Sequence, residues 1–110
     1  MEIKPSFKID KFKKARGGNS RWLLITCGEC KNTICYYQKD GVGFLKRLYL
    51  DRIFNNRFTG KNLICNKCKA LLGLRYIYEK ENRPAFRLFA GVIEKKTVKS
   101  QAIAKKAALS

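Results

Sequence analysis

Cys27-Gly28-Glu29-Cys30 and Cys65-Asn66-Lys67-Cys68 repeat one spacing, two cysteines with two residues between them. That gap lets a tight turn aim both sulfurs at a single ion about 2.3 Å away, so each turn supplies half of a tetrahedron. Together the pairs predict one site built from Cys27, Cys30, Cys65 and Cys68. Zinc (Zn2+) is the expected occupant, and iron is the other ion that such a four-sulfur site accepts. Backbone N–H groups inside the turns can donate to the sulfurs and orient them. A centre of this type carries a net charge of about −2, and Lys31, Lys67 and Lys69 lie beside it in sequence to offset it. The competing reading, two redox dithiols, needs a βαβ context that the flanking residues do not offer. The fifth cysteine, Cys35, sits between Ile34 and Tyr36 and reads as a buried structural side chain.

Thirty-four residues, 31–64, separate the pairs, against roughly 15–20 in a compact zinc ribbon. The two knuckles are therefore expected at the ends of a larger sheet. Trp22 to Thr26 is apolar and β-prone and enters the first pair, while Thr33 to Tyr37 reads as the returning strand. Asp40-Gly41 marks a turn. Leu45 to Phe54 fits both a helical face and a strand, and strand neighbours favour the strand. Leu63-Ile64 enters the second pair. Leu71 to Tyr78 and Ala85 to Ile93 form a hairpin by pattern, closed by Glu81-Asn82-Arg83-Pro84. In the first of these strands Leu72, Leu74, Tyr76 and Tyr78 share a face, and Arg75 takes the other. The expected fold is mainly β: a small zinc-bound β-tent, or an extended zinc-ribbon-like sheet, with two Cys-x-x-Cys knuckles and a short C-terminal helix.

Both flanks differ in composition from this centre. Residues 1–20 carry Lys8, Lys11, Lys13, Lys14 and Arg16 ahead of Gly17-Gly18-Asn19-Ser20, and read as a basic mobile arm. Phe7, Ile9 and Phe12 offer a way to dock part of it. Residues 21–94 form the zinc-binding β domain. Residues 95–110 form a basic tail rich in alanine and lysine, where Thr97 or Ser100 would cap a short helix. At 110 residues the chain suits a single domain with a limited core, for which a metal is a common staple.

The 25 lysines and arginines face only 8 carboxylate residues and no histidine, for a net charge of +17. Such a charge favours polyanionic partners, nucleic acid first and an anionic membrane surface second. No apolar run reaches the ~18–20 residues of a membrane span. An N-terminus without an apolar signal core, together with paired cysteines, points to an intracellular, reducing compartment, cytoplasmic or nuclear.

The order of these elements resembles a known fold. A knuckle, a long β insertion, then Cys65-x-x-Cys68 running into Leu71-Leu72-Gly73-Leu74-Arg75-Tyr76, and a closing Phe86-Arg87-Leu88-Phe89-Ala90-Gly91, is similar to the β-tent zinc fold. Yippee-like proteins, the thalidomide-binding domain of cereblon and methionine-R-sulfoxide reductases share that fold. The resemblance covers roughly residues 22–94 and implies the zinc site and the sheet. Trp22 is the only tryptophan, so the tryptophan-rich cage of the cereblon type has no counterpart here. No cysteine follows Cys68, so the catalytic thiol of the reductases has none either.

The function expected from these residues is a non-enzymatic zinc module that binds RNA or DNA. The candidate contacts are Arg47, Arg52, Arg57, Arg75 and Arg87 on the sheet, with Lys11, Lys13, Lys14 and Arg16 on the arm. Tyrosines and phenylalanines among them could stack bases. The alternative is a Yippee-like protein-interaction adaptor or a reader of peptides or small ligands. Enzymatic chemistry is the least supported class, since no histidine is present and carboxylates are few.

Overall fold

The computed structural model describes residues 6–101 and 103, and they form two small antiparallel sheets. Sheet A has the order β2-β1-β7, from β1 (Ser20–Cys27), β2 (Thr33–Asp40) and β7 (Ile93–Val98). Sheet B has the order β3-β6-β5-β4, from β3 (Arg47–Tyr49), β4 (Asn62–Ile64), β5 (Leu71–Tyr78) and β6 (Arg83–Leu88). The mainly β fold expected from the alternating apolar pattern is thus the fold observed. Among the described residues no helix is long and apolar enough to cross a membrane.

Period-two alternation decides which side chains go inward. Leu23, Ile25 and Cys27 descend β1 into the core, with Tyr37 and Cys35 of β2 opposite Leu23 and Ile25. Leu48, Leu63, Leu72 and Phe86 of sheet B join the same buried cluster. One isolated bridge, Tyr37 with Ile53, couples the sheets, and the Tyr49 N–H donates to the Tyr37 hydroxyl at 2.9 Å. Gly73 is fixed by a close approach: a Cβ there would stand 2.5 Å from the Arg87 carbonyl oxygen on β6.

Four stretches depart from the sequence reading, one being the expected strand Ala85 to Ile93, which stops at Leu88 before Ile93 opens β7 in the other sheet. Leu45 to Phe54 was expected as one strand, but only Arg47–Tyr49 joins a sheet, Leu50–Arg52 closes into a 3₁₀ turn, and Ile53 makes the isolated bridge to Tyr37. That turn brings Arg52 back over sheet A, where its Nε meets Asp40 Oδ2 at 2.8 Å and its Nη2 meets Asp10 Oδ1 at 2.6 Å. The described part of the expected mobile arm, residues 6–20, is packed down. Asp10 caps helix α1 (Lys11–Ala15), accepting from the N–H groups of Phe12 and Lys13. The Lys8 N–H donates to Gln38, and Phe7 stacks on Trp22 at 5.2 Å. Finally, β7 continues to Val98 along β1, so residues 95–98 belong to the sheet and not to a tail. Ser100, Gln101 and Ile103 are helical, and the rest of the expected C-terminal helix, with Lys105 and Lys106, lies outside the described residues.

The N-terminal clasp works through buried charge. Arg52 and Asp40 are both buried, and Ser20 and Gln38 also donate to Asp40. Burial disfavours the Asp40 carboxylate, but those hydrogen bonds outweigh it and lower its pKa. The hydrogen bond from Arg52 holds Asp10 down at about 2, from an ordinary 3.8. A depressed carboxyl contributes its stability above the unfolded value and loses it as pH falls through the folded one. Metal-binding thiolates protonate well before that, so the clasp is tested at neutral pH. Asp10→Asn keeps the cap but breaks the ion pair of a one-third-exposed carboxylate, and should cost up to ~1 kcal/mol. Arg52→Met, which strands Asp40, should cost about 3–5 kcal/mol. Denaturant titration reads both. Faster amide exchange confined to residues 6–15 is expected for Asp10→Asn. Gly73→Ala should cost about 1–3 kcal/mol by forcing β5 off β6.

Candidate metal centre and basic cleft

The two knuckles are built alike down to single hydrogen bonds. In the first, the Cys27 N–H donates to the Asn32 carbonyl at 2.9 Å and the Lys31 N–H to the Cys27 carbonyl at 2.9 Å. In the second, Cys65 donates to Ala70 at 3.0 Å and Lys69 to Cys65 at 2.9 Å. The residue after each second cysteine, Lys31 or Lys69, has φ +65°, a left-handed conformation that costs an L residue roughly 1–2 kcal/mol. Both lysines then curl back onto their own knuckle, Lys31 Nζ to the Gly28 carbonyl at 3.4 Å and Lys69 Nζ to the Asn66 carbonyl at 2.9 Å. Lys31 also pairs with Glu94 of β7. The repeat extends into the strands. Thr26 pairs with Thr33 and Ile64 with Leu71, each just past a register shift.

The knuckles meet across the two sheets. Cys27 Sγ lies 3.6 Å from Cys68 Sγ and Cys30 Sγ 3.5 Å from Cys65 Sγ, and all four sulfurs lie within 4.8 Å of one another. A tetrahedron with bonds of about 2.3 Å sets its sulfurs roughly 3.8 Å apart, so the donor set fits a four-coordinate metal ion. Four protein thiolates close the shell, which is the pattern of a structural site. Asn32 Nδ2 ties the knuckles together, donating to Asn66 Oδ1 at 2.8 Å and lying 4.0 Å from Cys65 Sγ. The backbone N–H of Cys68 lowers the pKa of Cys65, whereas hydrogen bonds with the other three sulfurs raise that of Cys68, the pattern of thiols packed into one cluster. Cys35 stands apart, and burial pushes its thiol up to about 12, as suits an inert core residue.

The candidate nucleic-acid contacts separate into distinct environments. Arg52 is a correction: it is 2% exposed and committed to Asp10 and Asp40, so it presents no charge to a ligand. Arg16 is held by Glu81 at 2.8 Å and lies over the Tyr49 ring. Arg75 is half-buried, donates to the Phe58 carbonyl and lies over Phe86. Arg47 and Arg87 pair directly across β3 and β6, so they share a face, whereas Arg75 pairs with Phe86 on the other. Arg57 is exposed in the loop before β4, and Lys11 and Lys14 are exposed on α1, while Lys13 donates to Ser20 Oγ at 2.7 Å. The five arginines therefore do not converge on one face. Arg83, which the sequence reading passed over, is sandwiched between the rings of Phe12 at 4.0 Å and Tyr49 at 3.7 Å and pairs with Asp51 and Glu81. Lys46, which had no role in the sequence reading, and Lys95, expected in the basic tail, line a cleft with Arg47 and Arg87. The alternation Ile93, Lys95, Thr97 was the signal that could have placed Lys95 in a strand.

Compared with protein-family models, curated proteins and solved structures, the chain matches none, and the resemblance to the β-tent families gains nothing from these comparisons.

The metal centre makes its own test. One metal ion should co-purify per chain, and a strong chelator should abolish the folded β signal in circular dichroism. Structural metal sites contribute ~10–16 kcal/mol, more than the ~5–15 kcal/mol of net stability a domain typically has. Replacing any of Cys27, Cys30, Cys65 or Cys68 by Ser should have the same consequence. Cys35→Ser should leave the metal bound and cost only about 1–3 kcal/mol.

Proposed function

We propose that this protein is a zinc-organised, non-enzymatic module that binds nucleic acid through its basic surface. One observation carries the reading. Among the described residues the ion pairs engage only Arg16, Lys31, Arg52 and Arg83, through Asp10, Asp40, Asp51, Glu81 and Glu94. Most of the described lysines and arginines are thus left without an internal counter-ion, in a chain of net charge +17. Surface cations of this kind gain from releasing the counter-ions of a phosphate backbone. The thiolate-only shell suits zinc, and metal analysis of the purified protein distinguishes it from iron.

The adaptor or ligand-reader alternative draws on an apolar groove of about 360 Å³ between Ile34, Tyr36, Phe54 and Phe58. Ile103 of the chain itself lines that groove and is fully buried. Nucleic-acid binding is therefore the reading we carry forward.

A salt titration of binding to labelled RNA and DNA oligonucleotides tests it. If about five phosphates are neutralised, log K should fall with log salt at a slope near −3.5 on a single strand. No affinity for any RNA or DNA even at low salt would move the adaptor reading to first place.

A further inference from the structure

We propose that the cleft between β3, β6 and the start of β7 is a single-strand site, in which Arg47 and Arg87 hold a backbone phosphate and Phe89 stacks an unpaired base. This rests on the nucleic-acid reading above and gives it a place and a strand preference. The cleft encloses about 390 Å³. Its cationic lining is Lys46, Arg47, Arg87 and Lys95, and no carboxylate lines it. Glu94 is next to Lys95 in sequence, but strand alternation sends it to the opposite face, where it pairs with Lys31.

The register of β3 on β6 puts Arg47 directly opposite Arg87. Like charges so placed repel, and neither has a carboxylate partner among the described residues. A phosphate between them would turn that repulsion into two charge-assisted contacts. The guanidinium groups are already oriented for it. Arg47 Nε donates to the Tyr76 hydroxyl at 2.8 Å, and its guanidinium lies 4.2 Å from the Tyr78 ring centre. Arg87 lies over the Tyr76 ring. Hydrogen bonds to neutral hydroxyls fix Arg47 without cancelling its charge.

Phe89 makes the site one for a single strand. It lines the same cleft and is 41% exposed, an unusual position for a large apolar ring beside four cations. Duplex nucleic acid keeps its bases stacked inside and would leave that ring without a partner. An unpaired base has a free π-face to lay on it. An acidic peptide would satisfy the cations but not the ring.

The test uses the metal-loaded full-length chain and fluorescence anisotropy with oligo(dT) and oligo(U) of about ten nucleotides, a duplex of the same length, and poly-glutamate as competitor. The double variant Arg87→Gln/Lys95→Gln should weaken single-strand binding at least tenfold and flatten the salt slope by about 1.4. Phe89→Ala should weaken it about tenfold while leaving the slope unchanged. Lys61→Gln/Lys80→Gln, which removes the same charge from exposed turns outside the cleft, should change affinity no more than about threefold. Circular dichroism and metal content verify that each variant is folded. If the wild type binds the oligonucleotides but the cleft variants behave like the control pair, binding lies elsewhere and only this inference falls. If the wild type binds none, the nucleic-acid reading falls with it. Tighter binding of duplex with no effect of Phe89→Ala, or displacement of oligo(dT) by poly-glutamate at equal charge, would also overturn the single-strand site.

Discussion

Everything in this molecule depends on four sulfurs drawn from two hairpins that belong to different sheets. Cys27 and Cys30 end the β1–β2 hairpin of sheet A, and Cys65 and Cys68 end the β4–β5 hairpin of sheet B. Elsewhere the sheets share a small core, the bridge between Tyr37 and Ile53, and side-chain bonds such as those of Tyr49 to Tyr37 and Arg52 to Asp40. A domain of this size buries too little surface to rely on its core alone. A metal ion held by all four sulfurs would tie the two sheets together and offset the repulsion among four neighbouring thiolates. The cleft inherits this constraint. Lys95 comes from sheet A while Arg47 and Arg87 come from sheet B, so the spacing of its charges is set by how the sheets are held.

A second organising feature is the sorting of cations by chemistry. Arg16, Arg52 and Arg83 do internal work, each combining a carboxylate with an aromatic ring or a buried setting. A planar guanidinium can stack and bond at once, which an ammonium cannot. Together they pin α1 and residues 6–10 across the sheets. The exposed lysines make no such commitments, apart from Lys31 and Lys69 beside the sulfurs. Asp10, Asp40, Asp51 and Glu81 serve Arg52 and Arg83, where burial makes an unpaired arginine costly. The surface is left strongly positive as a result.

The metal ligands and the strands around them were legible because short-range rules govern them. A two-residue gap dictates a knuckle, and alternation dictates which of Leu23, Ile25, Phe86 and Leu88 face inward. The roles of the arginines were not legible. Arg52 and Arg87 look alike in sequence, yet one is enclosed by Asp10 and Asp40 from distant segments and the other stands in a cleft. Only tertiary pairing separates them. The partners of the N-terminal segment were not legible for the same reason. Its composition suits an arm, but Asp10, Phe7 and the Lys8 backbone find partners in Arg52, Trp22 and Gln38. Tight approaches such as that of Gly73 to the Arg87 carbonyl likewise leave no mark beyond a glycine in a strand.

The central claim is that one metal ion with an all-sulfur shell joins the two sheets. X-ray absorption at the metal edge of the protein as purified tests it most directly. The account predicts a single shell of four sulfurs at about 2.3 Å with no nitrogen or oxygen. A mixed shell, fewer sulfurs, or a fully folded protein holding no metal would contradict it.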